Sequence, residues 1–221
     1  MVSTVPLPRR PLDTGVTAGG LTSDTRADVA GEATGDVRHW YENELGWATV
    51  PGSGSPGSPL LLAVGPRFDV LDVPAEAGLA ALRLRARTGA PGSPVARCGD
   101  RLLLLVAAGS ADELPGLLEW LDWGGLTPDL RAIGMGGHIE APVPPVPPIP
   151  PVPSGRTNPQ GAAVWLRPPE TGCGTEIPLP TMSALGGVGG APDLVRLVDT
   201  LANQCHRVRL RRASAQPLAF S

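Results

Sequence analysis

The segment Arg67–Pro74 constrains the fold more than any other part of the chain. It reads Arg-Phe-Asp-Val-Leu-Asp-Val-Pro, and its alternating and β-branched residues predict a buried strand. The small residues of Ala75–Gly78 then predict the start of a helix. Asp69 and Asp72 are the only acidic residues that we place in the middle of a strand. Because a buried carboxylate must be solvated, paired or bound to a metal ion, we expect any chemistry of the protein here.

The charge and the basic residues of the chain exclude several classes of function. Its 221 residues suit one domain with a sizeable core. The formal net charge of -3 at pH 7 argues against a general polyanion binder, although it allows a local basic patch. All 18 basic residues are arginine. A phosphate-loop lysine, a Schiff-base lysine and a lysine nucleophile are therefore excluded.

Three cysteines, Cys98, Cys173 and Cys205, are an odd number and form no CxxC pair. They predict neither a disulfide framework nor a zinc site, and they suit a reducing compartment. No N-terminal segment has the apolar core of a signal peptide, and no apolar run reaches membrane-spanning length. We therefore expect a cytoplasmic protein with no membrane partner.

Periodicity divides the chain into one structured body and two ends. Residues 1–35 are rich in Pro, Gly, Thr, Asp and Ala and lack periodicity, which predicts a disordered leader. We predict a single domain over residues 36–212 and a tail over residues 213–221. Strand and helix patterns interleave in the domain without strict alternation. This favours an α+β (mixed α/β) fold, in which helices flank a central, largely antiparallel sheet.

Several local patterns within this domain give specific predictions. Asp36 is predicted to cap the first helix, and Ser110 with Glu113 is predicted to form a capping box for a later helix. The apolar run inside Val95–Ala108 predicts one long strand in the middle of the sheet, and Asp129–Ala141 predicts a further strand that is interrupted by Gly134, Gly136 and Gly137. A final helix is predicted from residue 192 onwards, because apolar residues recur at helical spacing: Leu194, Leu197, Val198, Leu201 and Cys205.

The segment Pro142–Pro153 reads Pro-Val-Pro-Pro-Val-Pro-Pro-Ile-Pro-Pro-Val-Pro. This composition predicts polyproline II, a stiff spacer within a loop over residues 142–160. A rigid loop insertion is the interpretation that we favour. Alternatively, the tract binds the aromatic groove of a protein partner.

Four segments occur in an order that is similar to a known family. They are Gly46–Pro51 after a helix, Leu62–Val73, Arg97–Leu102, and Asp129–Pro142 followed by Ser154–Trp165. In this order they resemble the bifunctional DNA primase/polymerase N-terminal (Prim-Pol) domain of the archaeo-eukaryotic primase superfamily, in a degenerate form of actinobacterial type. The resemblance covers residues 36–170 and implies a primase/polymerase-like fold.

The resemblance also implies where catalysis would occur. Activity in the family depends on two metal-binding acids in a first motif, a histidine in a second and an acid in a third. Asp72 matches the first acid, but the position of its partner, two residues later, is Pro74. The histidine position corresponds to Leu102, and Asp129 matches the third acid. The resemblance therefore implies Mg²⁺ or Mn²⁺ only if the domain is active, and otherwise no cofactor.

The spacing of the first motif has a physical reason. Residues i and i+2 of a strand point to the same face, so that two acids at this spacing can share two metal ions. Asp69 cannot replace the missing acid, because it lies three positions from Asp72 and projects from the opposite face. We interpret Asp72 and Asp129 as remnants of catalytic, metal-binding positions. The interpretation that we favour is that each accepts hydrogen bonds from backbone or arginine groups at a strand end.

Arginine and histidine residues supply the candidates for nucleic-acid or phosphate binding. Arg131 lies beside Asp129, and His138 follows two glycines, although such a histidine is more often an ordinary polar strand residue. Four arginines within six residues suit phosphate binding, or they form a solvated helix end that complements the helix dipole: Arg207, Arg209, Arg211 and Arg212. Trp120, Trp123 and Trp165 are able to stack on nucleobases, but the spacing favours a core position for Trp120.

Three functions are consistent with these patterns. The first is a catalytically inactive Prim-Pol-like protein that binds DNA or a nucleotide. The second is an active DNA primase/polymerase that uses Asp72 and Asp129. The third is a regulatory interaction module that recruits a protein partner through the proline-rich loop.

Overall fold

The computed structural model describes residues 34–55, 58–89, 92–145, 162–170, 179–182 and 194–215. The first helix, α1, covers residues 34–39 and continues as the π-helical turn Trp40–Glu44. Three further helices are α2 (Ala75–Ala86), α3 (Ser110–Trp120) and α4 (Leu194–Ala215). The strands are β1 (Leu61–Ala63), β2 (Phe68–Pro74), β3 (Val95–Cys98), β4 (Arg101–Ala107), β5 (Arg131–Ile133), β6 (His138–Glu140) and β7 (Val164–Arg167).

Five of the strands form an antiparallel sheet in the order β5-β2-β4-β3-β7, and β1 pairs with β6 in a separate two-stranded sheet. The segment around Asp69 and Asp72 is β2, which pairs with β4 over its whole length, from Phe68 opposite Ala107 to Pro74 opposite Arg101. The predicted α+β fold with a largely antiparallel central sheet is thereby confirmed.

The five-stranded sheet carries a core on each face, because the side chains of β2 and β4 alternate between two apolar clusters. One face packs against α2, α3 and α4 through Leu71, Val73, Leu102 and Leu104. We call it the helical face. The other face packs against α1 and the two-stranded sheet through Phe68, Val70, Leu103 and Leu105. We call it the small-sheet face. The predicted stripe of α4 from Leu194 to Cys205 is buried against the helical face.

The two long predicted strands are each divided by a turn. Val95–Ala108 was expected to be one strand, but it forms the hairpin β3–β4 around Gly99, which has a φ of 58°. Such a backbone conformation is accessible to glycine at little cost. Asp129–Ala141 forms β5 and β6, which belong to different sheets. The apolar run of β4 concealed the first turn, whereas Gly134, Gly136 and Gly137 had indicated the interruption of the second segment.

The helix boundaries also differ from the predictions in detail. Asp36 lies inside α1, which already includes residue 34, so that Asp36 is not its cap. No side chain of α3 caps its N-terminus, where Gly109 is the capping residue, so the capping box of Ser110 and Glu113 is wrong. Helix α4 extends to Ala215, past the predicted domain end at residue 212.

The leader up to residue 33, residues 146–161 of the proline-rich loop and the tail after residue 215 lie outside the described residues. Within the described part, none of the helices is both long enough and apolar enough to cross a membrane.

Candidate functional site

Asp72 and Arg101 lie on the small-sheet face, at the end of the sheet where β2 finishes and β4 begins. In β2, Asp72 shares its face with Phe68 and Val70, since alternate residues of a strand point the same way. In β4, Arg101 likewise shares its face with Leu103 and Leu105. Since Pro74 is the residue opposite Arg101, the arginine lies diagonally across from Asp72, within reach of its carboxylate.

Every nitrogen of the Arg101 guanidinium donates a hydrogen bond. Nε donates to Oδ1 of Asp72 over 2.7 Å. Nη1 donates to both carboxylate oxygens of Asp129, each over 3.0 Å. Nη2 donates to the backbone carbonyl of Asp72 over 3.2 Å. The two acids identified in the sequence therefore lie in one site, and an arginine connects them.

The site is only partly accessible to solvent. The side chains of Asp72 and Arg101 are 16% and 22% exposed, whereas that of Asp129 is 47% exposed. Burial lowers the pKa of Arg101, but the hydrogen bonds and negative charges of Asp72 and Asp129 outweigh this effect and raise the pKa above its ordinary value. Arg101 therefore stays positively charged, and its charge is balanced by the carboxylates of Asp72 and Asp129.

Two cysteines border the site and are poor nucleophiles. Burial raises the pKa of the Cys205 thiol to about 12, and the charge of Asp129 contributes in the same direction while Arg101 opposes it. The thiol also donates a hydrogen bond to the backbone carbonyl of Asp129 over 3.4 Å. Burial, followed by the charges of Glu140, Asp72 and Asp100, raises the pKa of Cys98. A reactive cysteine needs a lowered pKa, so neither thiol fits a catalytic role.

The geometry does not fit the two-ion site that the resemblance implies. One oxygen of Asp72 and both oxygens of Asp129 accept hydrogen bonds from Arg101. Pro74, which shares the face of Asp72, offers no ligand atom. Among the described residues, no group of three or more His, Cys, Asp or Glu side chains is placed to hold a metal ion. The positively charged guanidinium of Arg101 lies between the carboxylates of Asp72 and Asp129, which a divalent ion would need as ligands.

Leu102 lies on the opposite face from this site. It is fully buried in the helical-face core and packs against Gly78 of α2, where an added Cβ would lie 2.4 Å from its Cδ2. The residue of β4 that faces Asp72 is Arg101. The sequence reasoning missed Arg101, although the strand period offered a signal: in a strand whose alternate leucines face α1, Arg101 shares the face of Leu103.

Asp69 has a structural role on the helical face. It is 1% exposed, and its Oδ2 accepts a hydrogen bond from the backbone N–H of Ala111 over 2.8 Å. Within the described residues, its Oδ1 has no hydrogen-bond partner. A carboxylate at a helix N-terminus satisfies a free N–H group and complements the helix dipole. Asp69 therefore replaces the predicted capping box of α3.

The remaining candidates are distributed over the surface. Arg131 is opposite Asp72 in the register of β5 and β2. Its side chain is 74% exposed, and its Nε lies 4.0 Å from Oδ1 of Asp129. His138 is exposed on β6 and pairs with Ala63 in the small sheet. Arg131 therefore belongs to the rim of the site, whereas no contact of the described residues joins His138 to Arg101.

The four arginines near the end of α4 are all exposed, but they do not form one patch. The helical period places Arg207 and Arg211 in one row and Arg209 on the opposite flank. Nη2 of Arg211 lies 2.8 Å from Oε1 of Glu76 in α2, and Arg212 lies 3.9 Å from the same carboxylate. Arg209 donates to the backbone carbonyl of Leu126 over 3.0 Å. Glu76 thus pairs with two of the four arginines, which leaves an excess of positive charge along this end of α4.

The base of the proline-rich loop is held on the small-sheet face. The fully buried Tyr41 donates its hydroxyl to the carbonyl of Pro142 and accepts a hydrogen bond from Trp165 Nε1 over 3.0 Å. Burial raises the pKa of Tyr41, and the hydrogen bond from Trp165 opposes this only in part. The N–H of Val143 donates to the carbonyl of Ala163 over 3.2 Å. Val143 and Ala163, at the base of the proline-rich loop, therefore lie next to each other.

Comparison of the chain with known protein families, with curated proteins and with solved structures finds no match.

Proposed function

We propose that this protein is a non-catalytic Prim-Pol-like domain of the cytoplasm that binds nucleic acid. The observation that carries the proposal is the Arg101 guanidinium between Asp72 and Asp129. Two carboxylates that neutralise an arginine are poor ligands for Mg²⁺, because binding the ion requires the arginine to be displaced and its charge to be solvated elsewhere. The geometry supports retention of the fold without nucleotidyl transfer.

The exposed arginines of α4 are the surface best suited to a phosphate backbone. No acidic residue occurs in residues 200–215, which contain Arg207, Arg209, Arg211 and Arg212. Phosphate contacts from arginine supply most of the affinity for nucleic acid when binding is not sequence-specific. Arg131 is the second candidate, but the carboxylate of Asp129 beside it repels a phosphate. We therefore assign the first contact to α4.

Nucleic-acid binding is expected to weaken steeply with salt and to depend on the α4 arginines. We would measure the fluorescence anisotropy of labelled single- and double-stranded DNA over a salt series. Changing all four arginines to alanine is expected to lower the log–log salt slope by about 2, since each lost phosphate contact removes about 0.7 to 0.9 and Arg209 lies on the other flank of α4. The matched control is Arg83→Ala/Arg87→Ala in α2, which removes two other exposed arginines and is expected to leave the slope unchanged.

Two results would contradict this proposal in different ways. Absence of DNA binding at low salt would remove the nucleic-acid function. Template-directed nucleotide incorporation with Mg²⁺ or Mn²⁺ that disappears in Asp72→Ala would establish the active polymerase instead. We expect no incorporation, and we expect Asp72→Ala to leave DNA binding intact, because Asp72 lies under Arg101 and not on α4.

A second candidate function, recruitment of a protein partner by the proline-rich loop, is favoured by how the loop is attached. Val143 and Ala163 are joined by a backbone hydrogen bond. A much shorter segment could therefore connect them without changing the sheet. Stiff polyproline segments bind aromatic-lined grooves at a low cost in entropy. A fixed base orients such a segment relative to the domain.

Replacing residues 146–160 with a short Gly-Ser linker tests this second function. Because the loop ends stay adjacent, we expect the free energy of unfolding to change by less than about 0.5 kcal/mol. Binding to purified SH3 and WW domains, measured by calorimetry, is expected to disappear with the tract. If the unmodified protein binds neither domain, the tract is only a loop insertion.

A further inference from the structure

Trp120, at the end of α3, is the most exposed aromatic side chain among the described residues and is 74% exposed. The spacing had favoured a core position for it, and that prediction is wrong. Its indole N–H has no hydrogen-bond partner within the described part of the chain. By contrast, Trp123 packs against the helical-face core, donates to Asp199 over 3.0 Å and lies 5.9 Å from the ring of His206. One of the two neighbouring tryptophans anchors the loop, and the other projects into solvent.

Trp120, Gly116 one turn earlier and Glu113 two turns earlier lie in one row of α3 and are all exposed, and we call this row the outer side of α3. Leu114 and Leu117 are buried in the helical-face core. A Cβ added to Gly116 would meet no atom within 4 Å, so nothing inside the protein requires glycine there. Glycine inside a helix costs about 1 kcal/mol relative to alanine.

The surface around Trp120 is acidic. Residues 110–129 contain five acidic residues and no lysine, arginine or histidine. Asp129 pairs with Arg101, but the other four are exposed and form no ion pair with any described residue: Asp112, Glu113, Glu119 and Asp122. Within the described part of the chain, their charges are therefore not balanced by an ion pair.

We propose that the outer side of α3, with Trp120 at its centre and Gly116, Glu113 and Glu119 around it, is a docking surface for a basic protein segment. Tryptophan dominates the binding energy of protein interfaces when a partner buries it. The surrounding carboxylates select arginine- and lysine-rich partners by charge complementarity and repel the phosphates of nucleic acid. The residues of this surface do not include the arginines of α4, so the proposal does not depend on DNA binding.

The proposal is tested with a synthetic peptide in which arginine alternates with leucine, and with a matched peptide in which glutamate replaces arginine. Titration of the full chain and of each variant is followed by calorimetry, and in the unmodified chain the NMR signal of the Trp120 indole N–H reports where the peptide binds. We expect the basic peptide to bind and the acidic peptide not to bind. Trp120→Ala is expected to weaken binding about 30-fold, the loss typical of a central aromatic anchor, and Trp120→Phe is expected to restore part of it.

The double variant Glu113→Gln/Glu119→Gln is expected to weaken binding at low salt and to lose most of its effect at high salt, because exposed charges are screened over about 8 Å at physiological ionic strength. The matched control Glu44→Gln changes an exposed acid of α1 and is expected to have no effect. Three outcomes overturn the proposal. These are equal binding by Trp120→Ala, equal binding of the acidic peptide, and self-association of the unmodified chain in sedimentation that Trp120→Ala abolishes, since the occupant is then a second copy.

Discussion

Replacing Arg101 with methionine is expected to lower the free energy of unfolding by about 2 kcal/mol, because two acidic side chains lose their shared cation while the apolar stem is kept. The cost is smaller than for a fully buried pair, since the Asp129 side chain is 47% exposed and regains water. Asp72 is only 16% exposed and carries most of the penalty. Urea denaturation at pH 7 measures the change.

Two further variants separate charge pairing from packing. Arg131→Met removes a cation that is 74% exposed and 4.0 Å from Asp129, and it is expected to cost less than about 0.5 kcal/mol. Asp72→Asn in the Arg101→Met background is expected to recover stability, since it removes the uncompensated charge. If Arg101→Met is as stable as the unmodified protein, the pairing of Asp72 and Asp129 does not hold the end of the sheet together.

The core of the fold follows from patterns that are local in the sequence. The alternation in β2 and the helical spacing of α4 are set by which side chains must avoid water, and the apolar residues predicted to be buried in these two elements are buried. The prediction of one strand over Val95–Ala108 fails at the turn between β3 and β4. There, Gly99 and Asp100 reverse the chain between two stretches of strand character, and a single glycine within a strand pattern indicates a turn only weakly.

The site itself depends on contacts that sequence spacing does not encode. Arg101 is 29 positions from Asp72 and 28 from Asp129, and the three meet only because β2, β4 and β5 are neighbours in one sheet. The carboxylates were identifiable from the sequence, as was an arginine as a possible partner, but not which arginine. The capping of α3 by Asp69 has the same origin. Asp69 lies 42 positions from Ala111 in the sequence, and only the folded sheet brings the two residues together.

Replacing Leu102 with histidine, the residue that the Prim-Pol resemblance expects there, is predicted to destabilise the fold by about 4 kcal/mol. The leucine is fully buried among Val73, Gly78 and the helices of the helical face. The substitution removes apolar contacts and places a polar ring in a site with no evident hydrogen-bond partner. The imidazole would also point away from Asp72, so it cannot create a nucleotide contact in the Arg101 site. Chemical denaturation at pH 7.5 measures the loss.

The pH dependence distinguishes a buried histidine from one that escapes to solvent. Burial lowers the pKa of a histidine in the folded state below the value of about 6.5 in the unfolded state. The unfolded chain then binds more protons below this pH, so Leu102→His is expected to lose further stability relative to the unmodified protein between pH 7 and pH 5, by at most about 1.4 kcal/mol per pH unit. The control Arg97→His, at an exposed position of β3, is expected to show no such loss. A Leu102→His variant with unchanged stability and no added pH dependence would place residue 102 outside the core, and the two faces of β4 would have to be exchanged.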